Sequence, residues 1–178
     1  VVTYRSLMTS TFEPPPNKSE SPISIVLTED SGFYSSSWHD AFSTQFPEKY
    51  GMNYSQLSLT DDETATTTMD TALQEMSRDL SDNQDAGGGA ANTVLVTRGP
   101  WMSWMASFYL ESLPLAGLVM VDPMQLDDRN GINQFELQYQ KLGLEGSLQY
   151  RLYQEFSEHW YHWTLKLEPG AVPMLILY

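Results

Sequence analysis

Few residues in this sequence combine a reactive side chain with a spacing that chemistry can use. Glu155, His159 and His162 fall at i, i+4 and i+7, so a helix would put them on one face, a geometry that can bind zinc. The H-E-x-x-H order of a metalloprotease is absent, and Trp160 and Trp163 flank the histidines. Glu–His pairing on a solvated helix face is the simpler reading, and no metal is expected. Gly87-Gly88-Gly89 looks like a phosphate loop, but it precedes a strand and lacks the Gly-Lys-Ser/Thr ending, so it reads as a surface connector. Ser103 is a candidate nucleophile that lies inside the apolar stretch Trp101–Leu110, where a small packing residue is expected. Asp122, closing the run LVMVD, could act as an acid, although a turn or cap role suits it better. His39, beside Trp38, reads as a surface residue. No cofactor is implied, and the absence of cysteine excludes disulfides, thiol catalysis and Cys-ligated metal centres.

The elements that would position these residues can be read from hydrophobic periodicity. Val1–Met8 alternates imperfectly and is expected to be a strand. Thr9–Pro22, with Pro14-Pro15-Pro16 and a polar run after it, is expected to be an extended arm that something holds in place. Ile23–Leu27 fits a buried parallel strand. Trp38, Phe42 and Phe46 mark one face of a helix that Ser35–Ser37 could cap and that Pro47 and Gly51 would close. Tyr54–Leu59 alternates as a strand. Asp61–Thr68 would start a helix whose stripe is Met69, Leu73, Met76 and Leu80. A buried strand at Thr93–Val96, a turn at Thr97–Trp101, an apolar helix over about Met102–Leu113 and a strand at Leu115–Val121 form a βαβ unit with parallel strands. Leu148, Leu152, Phe156, Trp160 and Trp163 outline a further helical stripe, and Val172–Tyr178 is expected to be a buried strand.

The order of these elements and the quoted runs resemble the α/β-hydrolase fold over roughly Ile23 to Tyr178. Residues 1–22 form an N-terminal strand and arm before it. The resemblance implies an α/β architecture, a mostly parallel sheet flanked by helices, as an incomplete α/β-hydrolase-like sandwich. In that family the turn between the central strand and its helix is the nucleophile elbow, G-x-S-x-G. Here it reads Thr97-Arg98-Gly99-Pro100-Trp101. Gly99 stands where the serine would be, and Pro100 lacks the N–H that the family uses in its oxyanion hole. Trp101 replaces a small residue, and Glu29-Asp30 stands where His-Gly usually opens the facing loop. No histidine follows His162.

With 23 acidic against 9 basic residues and a net charge of −14, nucleic acid and anionic lipid surfaces are disfavoured as partners. A basic protein face remains compatible with that charge. No run of about eighteen apolar residues marks a membrane span, and the N-terminus lacks a signal-peptide pattern, having been processed or never having had one. These features lead to the expectation of a non-catalytic accessory or scaffolding subunit that is not an enzyme and binds other proteins. By analogy alone, its setting would be an organellar membrane complex, respiratory or photosynthetic, in a plastid or mitochondrion. Pro14, Pro15, Pro16, Phe156, Trp160 and Trp163 are the candidate partner contacts, with Trp101 and Trp104 as anchors or core. The alternatives are a serine-type ester hydrolase with a displaced nucleophile and a small-ligand-binding pseudo-hydrolase whose pocket Trp101 would tend to fill.

Overall fold

The computed structural model describes residues 7–59, 68–82, 90–123, 136–159, 170 and 172–178. Six strands form one sheet: β1 (Leu7–Phe12), β2 (Ser24–Glu29), β3 (Asn53–Leu59), β4 (Thr93–Arg98), β5 (Gly117–Val121) and β6 (Met174–Leu177), in the spatial order β1-β3-β2-β4-β5-β6. All neighbours pair in parallel except β1, which runs antiparallel to β3. The helices are α1 (His39–Gln45), continued by a π-helical turn Phe46–Tyr50, then α2 (Met69–Asp82), α3 (Pro100–Ser112) and α4 (Leu148–His159).

The β-branched runs at β2, β4 and β5 form the sheet centre because parallel strands covered on both faces need apolar side chains on both faces. Successive residues divide accordingly. Val26, Leu57, Leu95, Leu118 and Met120 enter the larger core with α2, α3 and α4, while Ile25, Leu27, Tyr54 and Val96 pack with Phe12, Trp38, Phe42 and Phe46 on the other face. Helix α3 is apolar nearly all round because it is buried all round: Trp101, Met102, Trp104, Met105 and Ala106 are each 2% exposed or less.

Several expectations are corrected here. The first described strand, Leu7–Phe12, takes in Leu7 and Met8 of the expected strand and runs on into the expected arm, with Phe12 opposite Tyr54 of β3; residues 1–6 lie outside the described residues. The following arm is held intramolecularly: the Ser21 N–H donates to the Gly51 carbonyl (2.6 Å) and the Asn53 amide to Glu20 (2.9 Å). Pro47 does not close the first helix; the chain continues through the π-helical turn until Gly51 adopts φ 66°. Trp101 and Trp104 are core residues, their rings 4.8 Å apart. The last strand is exposed, with Met174, Leu175, Ile176 and Leu177 each 41–53% accessible, since β6 pairs only with β5 among the described residues. His39 is half-buried and bonds the Tyr54 hydroxyl through Nδ1 at 3.0 Å.

Helix α2 takes the expected stripe, with Met69, Met76 and Leu80 buried and Leu73 packed at its margin. Its start at Met69 receives a charged cap from afar, as the Glu155 carboxylate accepts the Met69 N–H at 3.1 Å. Glu155 therefore caps α2; its expected partner, the His159 side chain, lies outside the described residues. Replacing Glu155 with alanine should cost about 1 kcal/mol, read as a lower urea midpoint. An unchanged midpoint would remove the cap from the account of α2.

Candidate functional site

The parallel register brings three residues side by side at the carboxyl edge of the sheet. Glu29 of β2 lies beside Arg98 of β4, and Arg98 beside Val121 of β5. The next residue on each strand, Asp30, Gly99 and Asp122, continues the row. Asp30 N–H donates to the Arg98 carbonyl (2.9 Å), Gly99 N–H to the Val121 carbonyl (2.9 Å) and Asp122 N–H to the Leu177 carbonyl (2.8 Å). The chain leaves β2 toward β3 on one side and returns past β2 to β4 on the other. The crevice between β2 and β4 is thus the topological switch point, where open α/β sheets bind ligands.

At this point the backbone makes the sharp strand-to-helix turn of the elbow window. Gly99 has φ 111° and ψ 157°, a conformation restricted to glycine. Pro100 takes the first helical position, which suits its fixed φ and missing N–H. The next two N–H groups are not left open. Trp101 N–H donates to Asp30 Oδ2 at 2.9 Å and Met102 N–H to Asp30 Oδ1 at 3.0 Å, so one carboxyl spans the helix N-terminus.

Asp30 also occupies the space that a side chain at position 99 would need. A Cβ built on Gly99 would stand 2.6 Å from the Asp30 Cγ and 2.7 Å from its Cβ. The site where the family places its nucleophile therefore holds a carboxyl group delivered from the facing loop. Asp30 is 3% exposed. Burial raises its pKa to about 7, against the lowering effect of the Trp101 and Met102 N–H groups and of a hydrogen bond with Tyr139. Tyr139, from a helical segment at 136–141, is itself pushed upward by burial and then by the Asp30 charge.

The other elbow residues serve the same corner. Arg98 forms an ion pair with Glu29 at 2.9 Å and lies over the rings of Tyr34 (3.8 Å) and Trp38 (4.7 Å). Thr97 and Ser103 share a buried hydroxyl–hydroxyl bond of 2.9 Å that ties β4 to α3, so Ser103 is a packing residue. Asp122 is exposed, adopts φ 52°, and accepts the Tyr34 hydroxyl at 3.0 Å. Burial and the Asp122 carboxylate both raise the Tyr34 pKa, so its phenol stays protonated. A cavity of about 230 Å³ opens on this group, with Glu29, Asp30, Tyr34, Ser36, Gln56 and Ser58 in its wall.

Of the candidate partner contacts, Pro14 and Pro15 are half-buried and Pro16 is exposed, around a separate surface cavity with Lys18 and Glu20. Trp160 and Trp163, and the side chains of Phe156 and His159, lie outside the described residues, as do His162 and Gly87-Gly88-Gly89. No cluster of three potential metal ligands occurs among the described residues, and no helix among them is long and apolar enough to cross a membrane. Sequence reasoning placed Glu29-Asp30 in the facing loop but gave Asp30 no chemistry, and it gave Tyr34 and Tyr139 none. An acid directly after a buried parallel strand was the available signal for Asp30.

No protein-family profile and no curated protein match the sequence. Solved structures do. Esterase 2 of the planctomycete Thermogutta terrifontis, phosphonylated by sarin, superposes with TM-score 0.57 and 14% identity over 97% of this chain and 67% of its own. Its propionate-bound form gives 0.55 and 16% over 96% and 65%. The Francisella virulence factor BioJ gives 0.52 and 10% over 99% and 76%. At these identities the likeness is one of fold, and the chain has the α/β-hydrolase fold. It spans about two thirds of the length of the esterase 2 structures, at 65% and 67%. The expectation that the chain is not an enzyme is corrected by these neighbours. The fold is the one on which the esterase 2 structures are built, and a glycine at position 99 does not by itself remove chemistry from the site.

Proposed function

We propose that this chain hydrolyses esters, with Asp30 as the acid–base group in place of an elbow nucleophile. One observation carries the reading: a buried carboxyl titrating near neutral pH stands where a side chain at Gly99 would project, at the edge of a cavity. A general base works best when its pKa lies near the working pH. The esterase fold of the structural neighbours supports the reading.

The reaction balances without further groups. The Asp30 carboxylate takes a proton from a water in the cavity, and the water oxygen attacks the ester carbonyl carbon. The tetrahedral intermediate collapses, the C–O bond to the alcohol breaks, and the leaving alkoxide takes the proton from Asp30. The Tyr34 phenol, on the same wall, has one proton, which it donates to Asp122 at 3.0 Å and which reaches a developing oxyanion only by leaving that bond.

Turnover of 4-nitrophenyl acetate by the purified chain tests this. The expected kcat/KM rises with pH through one ionisation near 7, the value to which burial brings Asp30. A chain without turnover, or a pH profile indifferent to Asp30→Asn, would overturn the proposal.

A further inference from the structure

We infer that the cavity beside Asp30 takes a neutral polyhydroxyl group, a sugar ring, as one part of the ester. The inference rests on the ester-hydrolase reading for its chemistry, but the recognition argument comes from the wall of the cavity alone.

That wall contains no aliphatic side chain among its described residues. It presents the hydroxyls of Ser31, Ser36 and Ser58 and the amide of Gln56, none of which bonds to another described side chain. Gln56 and Ser58 are two apart on β3 and so project from the same face of the sheet. Each hydroxyl can donate once and accept twice, and the amide can do both. Such a surface leaves an acyl chain's apolar area uncompensated and would pair with a ligand that is itself a row of hydroxyls.

Charge then separates polyols from ions. Glu29 is already engaged: it accepts from Arg98, from the Trp38 N–H at 3.1 Å and from Ser37. Arg98 is held by Glu29, by the Ser36 carbonyl at 2.6 Å, and by two rings. Among its described residues the wall therefore has no cation for an anionic ligand; of its two carboxyls, Glu29 is paired with Arg98 and Asp30 accepts the Trp101 and Met102 N–H groups. The volume of about 230 Å³ holds roughly eight waters at ~30 Å³ each. Ordered waters bonded to such hydroxyls are well replaced by a ligand that reproduces their bonds.

Saturation-transfer NMR on the purified chain tests this, with methyl β-D-glucopyranoside as the probe and sodium butyrate and tetramethylammonium as controls. The expected result is saturable glucoside binding that Gln56→Leu and Ser58→Val each weaken at least fivefold, with neither control ion binding comparably. Gln56 and Ser58 are partly exposed strand residues, and matching thermal melts will show that the variants fold. Absence of glucoside binding, binding indifferent to both substitutions, or tighter binding of either ion would overturn the inference. The Asp30→Asn variant separates the two proposals. If it binds the glucoside but no longer turns over ester, both stand. If it keeps turnover while Gln56→Leu loses the glucoside, the sugar site stands and the role given to Asp30 falls. If it loses turnover and the parent chain never bound the glucoside, the sugar site alone falls.

Discussion

Asparagine at position 30 is expected to lower kcat/KM for 4-nitrophenyl acetate by ~10²–10⁴-fold while making the chain more stable than the parent at pH 8. The two effects have one cause. Folding moves the Asp30 pKa from 3.8 to about 7, chiefly because burial disfavours the charged form. Below pH 4 the carboxyl is protonated in both states and the stability linked to its neutral form is fully present. Between 4 and 7 the folded chain binds the proton that the unfolded chain has lost, so stability falls as pH rises. Above 7 the contribution is gone. A shift of about 3 units corresponds to ~4 kcal/mol at 1.36 kcal/mol per unit, an order-of-magnitude figure. Asparagine keeps an acceptor for only one of the Trp101 and Met102 N–H groups, which bond different oxygens of Asp30, and carries no charge, so this part of the pH dependence disappears. Urea midpoints at pH 5 and pH 8 would show the parent and variant converging at the lower pH and the variant ahead at the higher. A variant equally destabilised at both would mean that the two N–H bonds to the carboxylate outweigh its burial.

Serine at position 99, the residue the elbow pattern calls for, is expected to destabilise the chain by ~3 kcal/mol and to add no turnover. The new Cβ would overlap the Asp30 Cγ and Cβ, at 2.6 and 2.7 Å, and φ 111° is a backbone angle that L side chains rarely adopt. Neither problem can be relieved by a rotamer of serine. Removing the Asp30 side chain as well should recover the overlap part but not the backbone part. Gly99→Ser with Asp30→Gly would then be less unstable than the sum of the two single changes. Urea unfolding of the four chains measures this. A Gly99→Ser chain as stable as the parent would refute the claim that the two residues compete for one space.

The βαβ centre was legible in the sequence because its signals are local. TVLVTR and GLVMV have no polar residue at their centres that one face of a sheet could expose to water, and PWMSWMASFYL has no polar face. Both patterns require burial on all sides, and both receive it. The same kind of reasoning failed at the chain's margins. VPMLILY carries the composition of a buried strand, but beyond the buried Val172 its strand Met174–Leu177 lies exposed with one described neighbour, because composition cannot report a strand's place in the sheet order. The antiparallel strand β1 runs through residues 9–12, which were expected to be arm, because Ser10 and Thr11 have no apolar period and their place in the sheet comes from pairing with β3.

The elbow shows the same division most clearly. The sequence by itself determined that a turn at Thr97–Trp101 joins a buried strand to an apolar helix, since each follows from propensities within a few residues; the structure carries the strand on to Arg98 and starts the helix at Pro100. The sequence could not determine what fills the turn. Asp30 lies 69 positions before Gly99 in the chain and meets it only because β2 and β4 pair in parallel with Glu29 level with Arg98. That register is set by the whole sheet and by the apolar packing on both of its faces. Only the tertiary structure therefore shows that the glycine left room for a carboxyl, and that burial carries this carboxyl to a pKa useful for chemistry.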